Sequence, residues 1–160
     1  MNDVNEYSIK AVKTRDDLRK FLEVASLIYA SNPLWVRPLN MVVSDYLSKK
    51  RNPFYTDGVG QAFLVQKNGQ TLGRVLCNVW KRHERLHSEK VAYFGYLECV
   101  KDRLAFSKLI QCIEGYSRKN RCSVIRGPFN TTAAQEMGFM TGGYENTPSI
   151  DMVYMVAPFV

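Results

Sequence analysis

The residues of this chain that could support chemistry are few, and their spacing excludes several common kinds of site. His83 and His87 stand four residues apart, as two ligands on one helical face would, but their stretch is charged and offers no third ligand. We therefore interpret them as a surface pair rather than a metal site. No Ser/His/Asp or Cys/His arrangement for nucleophilic catalysis is readable in the sequence.

The cysteines also argue against a metal or redox site. None of them forms a C-x-x-C pair, and each lies in a mostly apolar segment: Cys77, Cys99, Cys112 and Cys122. Zinc sites commonly use closely spaced ligand pairs, whereas free cysteine is among the most frequently buried residues. The pattern predicts buried free thiols.

Two glycine-containing segments could in principle hold an anion. Residues 127–130, Gly-Pro-Phe-Asn, follow a predicted strand, and backbone amides there could bind a negative group, although a plain structural turn is the favoured interpretation. Gly138, Gly142 and Gly143 match neither the dinucleotide-binding nor the P-loop pattern.

The composition is that of a globular domain with a basic surface. The chain has 160 residues, 46% hydrophobic and 23% charged, with a formal charge of +7. This charge suits an anionic partner such as a nucleotide cofactor, nucleic acid or acidic protein, and equally a solvated basic surface. Tyr93, Phe94 and Tyr96 could stack on bases, but aromatic residues on a sheet usually face a core, so nucleic acid is not expected.

Periodicity, capping residues and turn residues predict alternating strands and helices. Thr14 is suited to cap the first helix, and Asn68-Gly69 has the preferred turn residues of a β-hairpin. The predicted elements are, in order, a strand at 6–12, a helix ending at 32–33, a helix at 41–49, strands at 62–66 and 71–80, a polar connection at 81–90, a strand at 91–99, a helix at 103–120 capped by Asp102, a strand at 123–126, a short helix at 131–137 and a strand at 150–155.

This order resembles the GNAT (N-acetyltransferase-like) fold. The resemblance implies an α/β (α+β) class with a mixed, mostly antiparallel central sheet flanked by helices, and a single domain over residues 1–160 in which we find no final strand. More specific segments resemble the N-terminal part of longer bacterial GNAT-like proteins. They are residues 32–39 (NPLWVRPL), 52–54 (NPF), 73–75 (GRV), 94–99 (FGYLEC) and 126–130 (RGPFN).

The resemblance implies a site for acetyl-CoA or another acyl-CoA after the fourth strand. In that family, backbone amides at the start of a helix, in a glycine-containing turn, hold the donor's pyrophosphate. The corresponding stretch here, residues 98–105, contains no glycine, and Asp102 places negative charge where the phosphates would lie. The residues implied in donor binding are Cys99, Val100, Lys101, Arg103 and, further along the chain, Asn130.

The resemblance also implies two residues that handle protons. Glu98 stands at the end of the fourth strand, where GNAT enzymes often place a carboxylate that takes a proton from the amine or positions a water. A capping or salt-bridged Glu98 is the favoured alternative. Tyr144 is the candidate for protonating the leaving thiolate, although it follows Asn130 at an unusual distance.

Two hypotheses about function follow. The first is an acyl-CoA-dependent N-acyltransferase of unknown acceptor, and the second is a non-catalytic module of the same fold that binds a small molecule or partner. We also expect a homodimer with residues 150–160 at the interface, because an uncovered sheet edge and an apolar tail invite association. A cytoplasmic location without a membrane partner is expected, since no apolar run is long enough to span a bilayer.

Overall fold

The computed structural model describes residues 7–131, 135, 137–143 and 145–146. Within these residues, five strands form one sheet in chain order, with four α-helices and one 3-10 helix. The elements are β1 (Tyr7–Ala11), α1 (Arg15–Tyr29), α2 (Asn40–Leu47), a 3-10 helix (Pro53–Thr56), β2 (Gly58–Lys67), β3 (Gln70–Trp80), α3 (Lys81–His87), β4 (Val91–Cys99), α4 (Arg103–Lys119) and β5 (Val124–Arg126).

The sheet is mixed and mostly antiparallel, as the sequence predicts. Each of the strands β1 to β4 pairs antiparallel with the next, whereas β5 returns through α4 and pairs parallel to β4. The β2–β3 turn is a two-residue turn at Asn68-Gly69, with φ of 50° and 80°. These positive values suit the primed turns whose twist matches a hairpin.

Helices cover both faces of the sheet. On one face α4 contributes Ala105, Leu109 and Ile113 to a core shared with β2, β3 and β4. On the other face α1 contributes Phe21 and Val24, which pack on Ala62, Leu64 and Leu76. Phe21 is fully buried, which stabilises the fold by roughly 1.5–3 kcal/mol relative to an exposed side chain. The prediction of a central sheet flanked by helices is confirmed.

The start of α1 is fixed by a capping box whose acidic member is buried. Thr14 Oγ1 accepts the Asp17 amide at 3.1 Å, and Asp17 Oδ2 accepts the amides of Thr14 and Lys13. Asp17 Oδ1 also lies 2.6 Å from Nζ of Lys10 on β1. The hydrogen bond from Lys10 and those from the backbone hold the pKa of Asp17 well below its ordinary value. This carboxylate therefore joins the first strand to the first helix.

Two predicted boundaries were wrong for physical reasons. The strand β2 begins at Gly58, four residues before the predicted position, because the glycines at 58 and 60 have no side chain and so hide the alternation of apolar and polar residues that indicates a strand. The predicted connection at 81–90 contains α3, which buries no residue and so has no apolar period. A bidentate ion pair from Arg85 of α3 to Asp57 holds it.

The last predicted elements fall mostly outside the described residues. Of the short helix predicted at 131–137, Thr131, Gln135 and Met137 are described and none is helical. Met137 instead forms an isolated antiparallel bridge with Phe129, so the helix prediction was wrong at these positions. The strand predicted at 150–155 and the predicted dimer interface at 150–160 lie outside the described residues.

We expect Asp17→Ala to lower the free energy of unfolding by about 2 kcal/mol at neutral pH, because it removes the acidic member of the capping box and leaves Lys10 without its ion-pair partner. Since the folded pKa of Asp17 is depressed, its stabilisation is complete above the unfolded value of about 3.9 and is lost as the pH falls through the folded value. Urea titrations from pH 7 to pH 3 should show a constant difference between the two proteins above about pH 5, which begins to narrow as the pH falls below the unfolded value. The exposed neighbour offers the control: Asp16→Ala should change stability by less than about 0.5 kcal/mol.

Candidate active site

The centre of the site is a β-bulge in β4. The pairing of β3 with β4 shifts between Arg74, opposite Glu98, and Leu76, opposite Gly95, so β4 carries one extra residue there. Tyr96 takes up this residue with a left-handed φ of 48°. Bulges bend a strand and redirect its side chains, and they are common beside active sites.

The bulge coincides with the end of the parallel strand. Pairing of β5 with β4 stops at Arg126, opposite Tyr93, and the chain then turns across β4. Phe129 donates its amide to the carbonyl of Phe94 at 2.6 Å. Among the described strands, the half of β4 from Phe94 to Cys99 therefore has β3 as its one strand partner. The outer side of β4 beyond Tyr96 is where a substrate could lie.

Asn130 holds the bulge in place. Its Oδ1 accepts the Tyr96 amide at 3.1 Å, and its carbonyl accepts Nδ2 of Asn78 at 3.3 Å. Asn130 and Asn78 are both buried. The adjacent Thr131 hydroxyl accepts Nδ2 of Asn52 at 2.9 Å, so the segment after β5 is tied to both the sheet and the segment after α2.

Glu98 lies beside the bulge in a buried ion pair. Arg74 Nε lies 2.5 Å from Glu98 Oε2, and the side chains are 6% and 11% exposed. Arg74 Nη1 also donates to the carbonyl of Phe21 at 2.8 Å, and its guanidinium lies over the rings of Phe21 and Tyr96 at 4.9 and 5.3 Å. These contacts compensate the cost of burying the charge of Arg74. The salt-bridged environment considered for Glu98 is thus present.

The start of α4 is occupied by Asp102. Its Oδ1 accepts the amides of Leu104 and Ala105, both at 3.0 Å, and its Oδ2 accepts the hydroxyl of Tyr7 at 2.7 Å. The hydrogen bond from Ala105 and that from Tyr7 lower the pKa of Asp102. Two amides that would face an anion at this helix end are therefore bound to the chain's own carboxylate, and a pyrophosphate does not fit there.

The other residues predicted to bind the donor are brought to the same turn but differ in access. Cys99 is buried in the core under α4, where desolvation raises the pKa of its thiol to about 12. The Val100 amide donates to the carbonyl of Leu72 at 2.8 Å. Lys101 and Arg103 are exposed and are the cations available to an anionic ligand at this turn. Their role in binding stays a prediction.

The predicted site residues form two neighbouring groups. Asn130 joins β4 at Tyr96, two residues before Glu98, whereas the cations lie beyond Glu98 at the start of α4. Tyr144 lies outside the described residues. Arg74 was not among the residues predicted for the site, although an arginine inside the apolar run of β3 is itself a signal of a buried, paired charge.

The histidine pair lies elsewhere. His83 and His87 are on α3 with ring centroids 4.5 Å apart, and His83 Nε2 lies 3.3 Å from Oε2 of Glu89. Within the part of the chain that the structure describes, no group of three or more His, Cys, Asp or Glu side chains is arranged to hold a metal ion.

Two curated proteins match most of the chain. Protein YghO of Escherichia coli (strain K12) is 27% identical over 140 residues, which cover 88% of this chain and 36% of that protein. Bacterial ceramide synthase of Caulobacter vibrioides (strain NA1000 / CB15N) is 27% identical over 148 residues, which cover 92% of this chain and 38% of that protein. No family model matches the chain. The chain thus spans little more than a third of the length of these relatives.

Several solved acyltransferase structures have a similar fold. The ribosomal-protein-alanine N-acetyltransferase from Brucella melitensis biovar Abortus 2308 has a TM-score of 0.53 at 14% identity, covering 75% of this chain and 77% of that one. AAC(6')-Iy in complex with the bisubstrate analog CoA-S-monomethyl-acetylneamine has a TM-score of 0.53 at 12% identity, and the match covers 79% of this chain and 83% of that one. FeeM, an N-acyl amino acid synthase from uncultured soil microbes, has a TM-score of 0.54 at 7% identity, and the match covers 78% of this chain and 73% of that one. At these identities the likeness is one of fold.

We expect Gly95→Ala to lower the free energy of unfolding by about 1–3 kcal/mol, because the structure has no room for the added methyl group. A Cβ at Gly95 would lie 2.1 Å from Oδ1 of Asn130 and 2.8 Å from the carbonyl oxygen of Phe129. Thermal or urea unfolding measures the change. The matched control is Gly115→Ala in α4, where a Cβ meets nothing within 4 Å, and helix propensity should raise stability by up to about 1 kcal/mol. Equal effects at the two positions would contradict the close contact at the bulge.

Proposed function

We propose that this chain, which has the GNAT-like fold, carries the acyl-transfer site of an N-acyltransferase. The observation that supports this most directly is the bulged half of β4, which has no β5 partner and lies beside the buried carboxylate of Glu98. In addition, a ceramide synthase matches 92% of the length of this chain. A ceramide is an amide made from a long-chain amine. An amine acceptor and an acyl thioester donor are therefore the proposed substrates.

In the proposed reaction the amine nitrogen forms a bond to the thioester carbonyl carbon, and the carbon–sulfur bond breaks to release a thiol. Glu98 would accept the proton that the amine loses, directly or through a water. Arg74 would hold the Glu98 carboxylate in place through their buried ion pair. Tyr144 remains the candidate for returning a proton to the thiolate.

Donor binding in this protein would differ from the backbone cradle that acyl-CoA ordinarily uses. The amides at the start of α4 are bound to Asp102, so the exposed cations Lys101 and Arg103 are the groups proposed to meet an anionic donor. Side chains bind less rigidly than backbone amides, and such contacts are strongly screened by salt. We therefore propose weak, salt-sensitive binding of acyl-CoA.

Asn130 would keep the bulge open for the donor's acyl end rather than contact its phosphates. Its side chain is committed to the amide of Tyr96, which lies two residues before Glu98 in β4. The alternative of a non-catalytic binding module receives no support from the comparisons and is left as an outcome of the experiments below.

The test of catalysis is Glu98→Gln. We expect kcat/KM for acyl transfer to a panel of amines, including long-chain amino alcohols, to fall about 100-fold or more, because a positioned base contributes that much. The loss should fall on kcat with KM little changed, as expected when an interaction made only in the transition state is removed. Unfolding curves separate a folded from an unfolded variant, and Glu114→Gln, on the α4 surface, serves as control. Amide formation that is unaffected in a folded Glu98→Gln protein would rule out the base.

The test of donor binding compares charge reversals at the turn where α4 begins with charge reversals further along α4. Lys101→Glu with Arg103→Glu should weaken acyl-CoA binding about tenfold or more and reduce its salt dependence. Lys108→Glu with Arg118→Glu makes the same change in net charge further along α4 and should have little effect. Asp102→Asn keeps a capping acceptor, removes the negative charge and should tighten binding. Equal losses from the two reversals would point to long-range attraction and contradict the proposed contact.

A further inference from the structure

A patch of apolar side chains is exposed around α2. We define the α2 patch as Val36, Leu39, Met41, Val42 and Tyr46, which are 77%, 69%, 69%, 37% and 38% exposed. Among the side chains of α2, Val43 alone is buried. A helix in a globular domain normally turns an apolar stripe towards the core. The apolar surface of α2 instead faces outward, as it does in contact surfaces.

The surroundings of the α2 patch are basic. From residue 34 to residue 51 the chain has four cations, Arg37, Lys49, Lys50 and Arg51, and one acid, Asp45. Asp45 pairs with Arg51 at 2.5 Å, and the other three cations form no ion pair with any described acid. The segment that carries the patch therefore combines exposed apolar side chains with a positive net charge.

The α2 patch adjoins the proposed active site. Leu47, at the end of α2, packs against the core of Phe21, Leu64 and Leu76, and Tyr96 of the bulge packs against the same core. Asn52, just after α2, bonds both the carbonyl of Tyr46 and the hydroxyl of Thr131. A molecule held at the patch would thus be close to the open side of β4.

We propose that the α2 patch docks on the surface of an anionic lipid bilayer, from which the amine acceptor enters the site. This inference rests on the proposed function. Apolar side chains beside lysine and arginine are the combination that binds a lipid interface, with the chains entering the acyl boundary and the cations meeting anionic headgroups. A second copy of the chain is a poorer occupant, because a symmetric contact would bring the same cations together.

Such docking needs no membrane-spanning element. Within the described residues, no helix combines the length and the apolar character needed to cross a bilayer. The expectation of no membrane partner was based on spanning length, whereas a surface contact depends on the exposed side chains of one short segment.

Flotation of the purified 160-residue chain with lipid vesicles tests the proposal. We compare vesicles of phosphatidylcholine with vesicles in which roughly a third of the lipid is phosphatidylglycerol, at low and high salt. The chain should partition at least tenfold more strongly onto the anionic vesicles, and high salt should reduce the difference. Equal binding to neutral vesicles, or no binding to either, would overturn the proposal.

Two paired variants locate the contact. Leu39→Ser with Met41→Ser removes apolar surface, and Lys49→Gln with Lys50→Gln removes charge without touching the core. Each should weaken vesicle binding about tenfold or more. The controls are Leu86→Ser with Leu104→Ser, whose leucines are 65% and 62% exposed elsewhere, and Lys108→Gln with Lys119→Gln. Controls that weaken binding as much as the patch variants would contradict the assignment.

Light scattering and a soluble acceptor complete the experiment. A concentration-dependent dimer that Leu39→Ser with Met41→Ser abolishes would replace the membrane by a second copy. Acyl transfer to a water-soluble amine, measured without vesicles, should be unchanged in the patch variants. Transfer without vesicle binding overturns the docking proposal alone, whereas vesicle binding without transfer to any amine overturns the proposed function alone.

Discussion

The extra residue in β4 is the constraint on which the site depends. It changes the register between β3 and β4, so that Arg74 comes opposite Glu98, and it coincides with the point where β5 leaves β4. The left-handed backbone of Tyr96 is unfavourable for a residue with a bulky side chain, and Asn130 compensates by binding its amide. Without that contact neither the ion pair nor the open half of β4 would keep its place.

Asp102 connects the stability of the fold with the chemistry of the site. As the cap of α4 it satisfies two amides, and through Tyr7 it also joins this helix to β1. The same contacts take up the helix end that acyltransferases of this fold use for a phosphate. A chain that used glycines here could bind the donor by its backbone but would lose both contacts. The start of α4 is therefore fixed by the chain's own carboxylate and by Tyr7.

The features predicted from sequence are those set by neighbouring residues. The Asn68-Gly69 turn, the Thr14 cap and the Asp102 cap depend on residues within three or four positions, so their residue types indicate them. The ion pair between Arg74 and Glu98 joins residues 24 apart, and the Asn130 contact with Tyr96 joins residues 34 apart. Such pairs depend on the register between strands and on distant segments of the chain, which a pattern of neighbouring residues does not indicate. The helix α3 was missed because it buries nothing and so has no apolar period.

The contact of Asn130 with Tyr96 also has a consequence for synthesis on the ribosome. The antiparallel strands β1 to β4 follow one another in the chain, so their pairing can begin as each strand emerges. The bulge, however, is completed by a residue 34 positions after Tyr96, beyond the whole of α4 and β5. A nascent chain that ends before residue 130 can therefore hold most of the sheet while its site is still unformed. The site at the bulge would therefore form late in synthesis, after the core of the sheet has already collapsed.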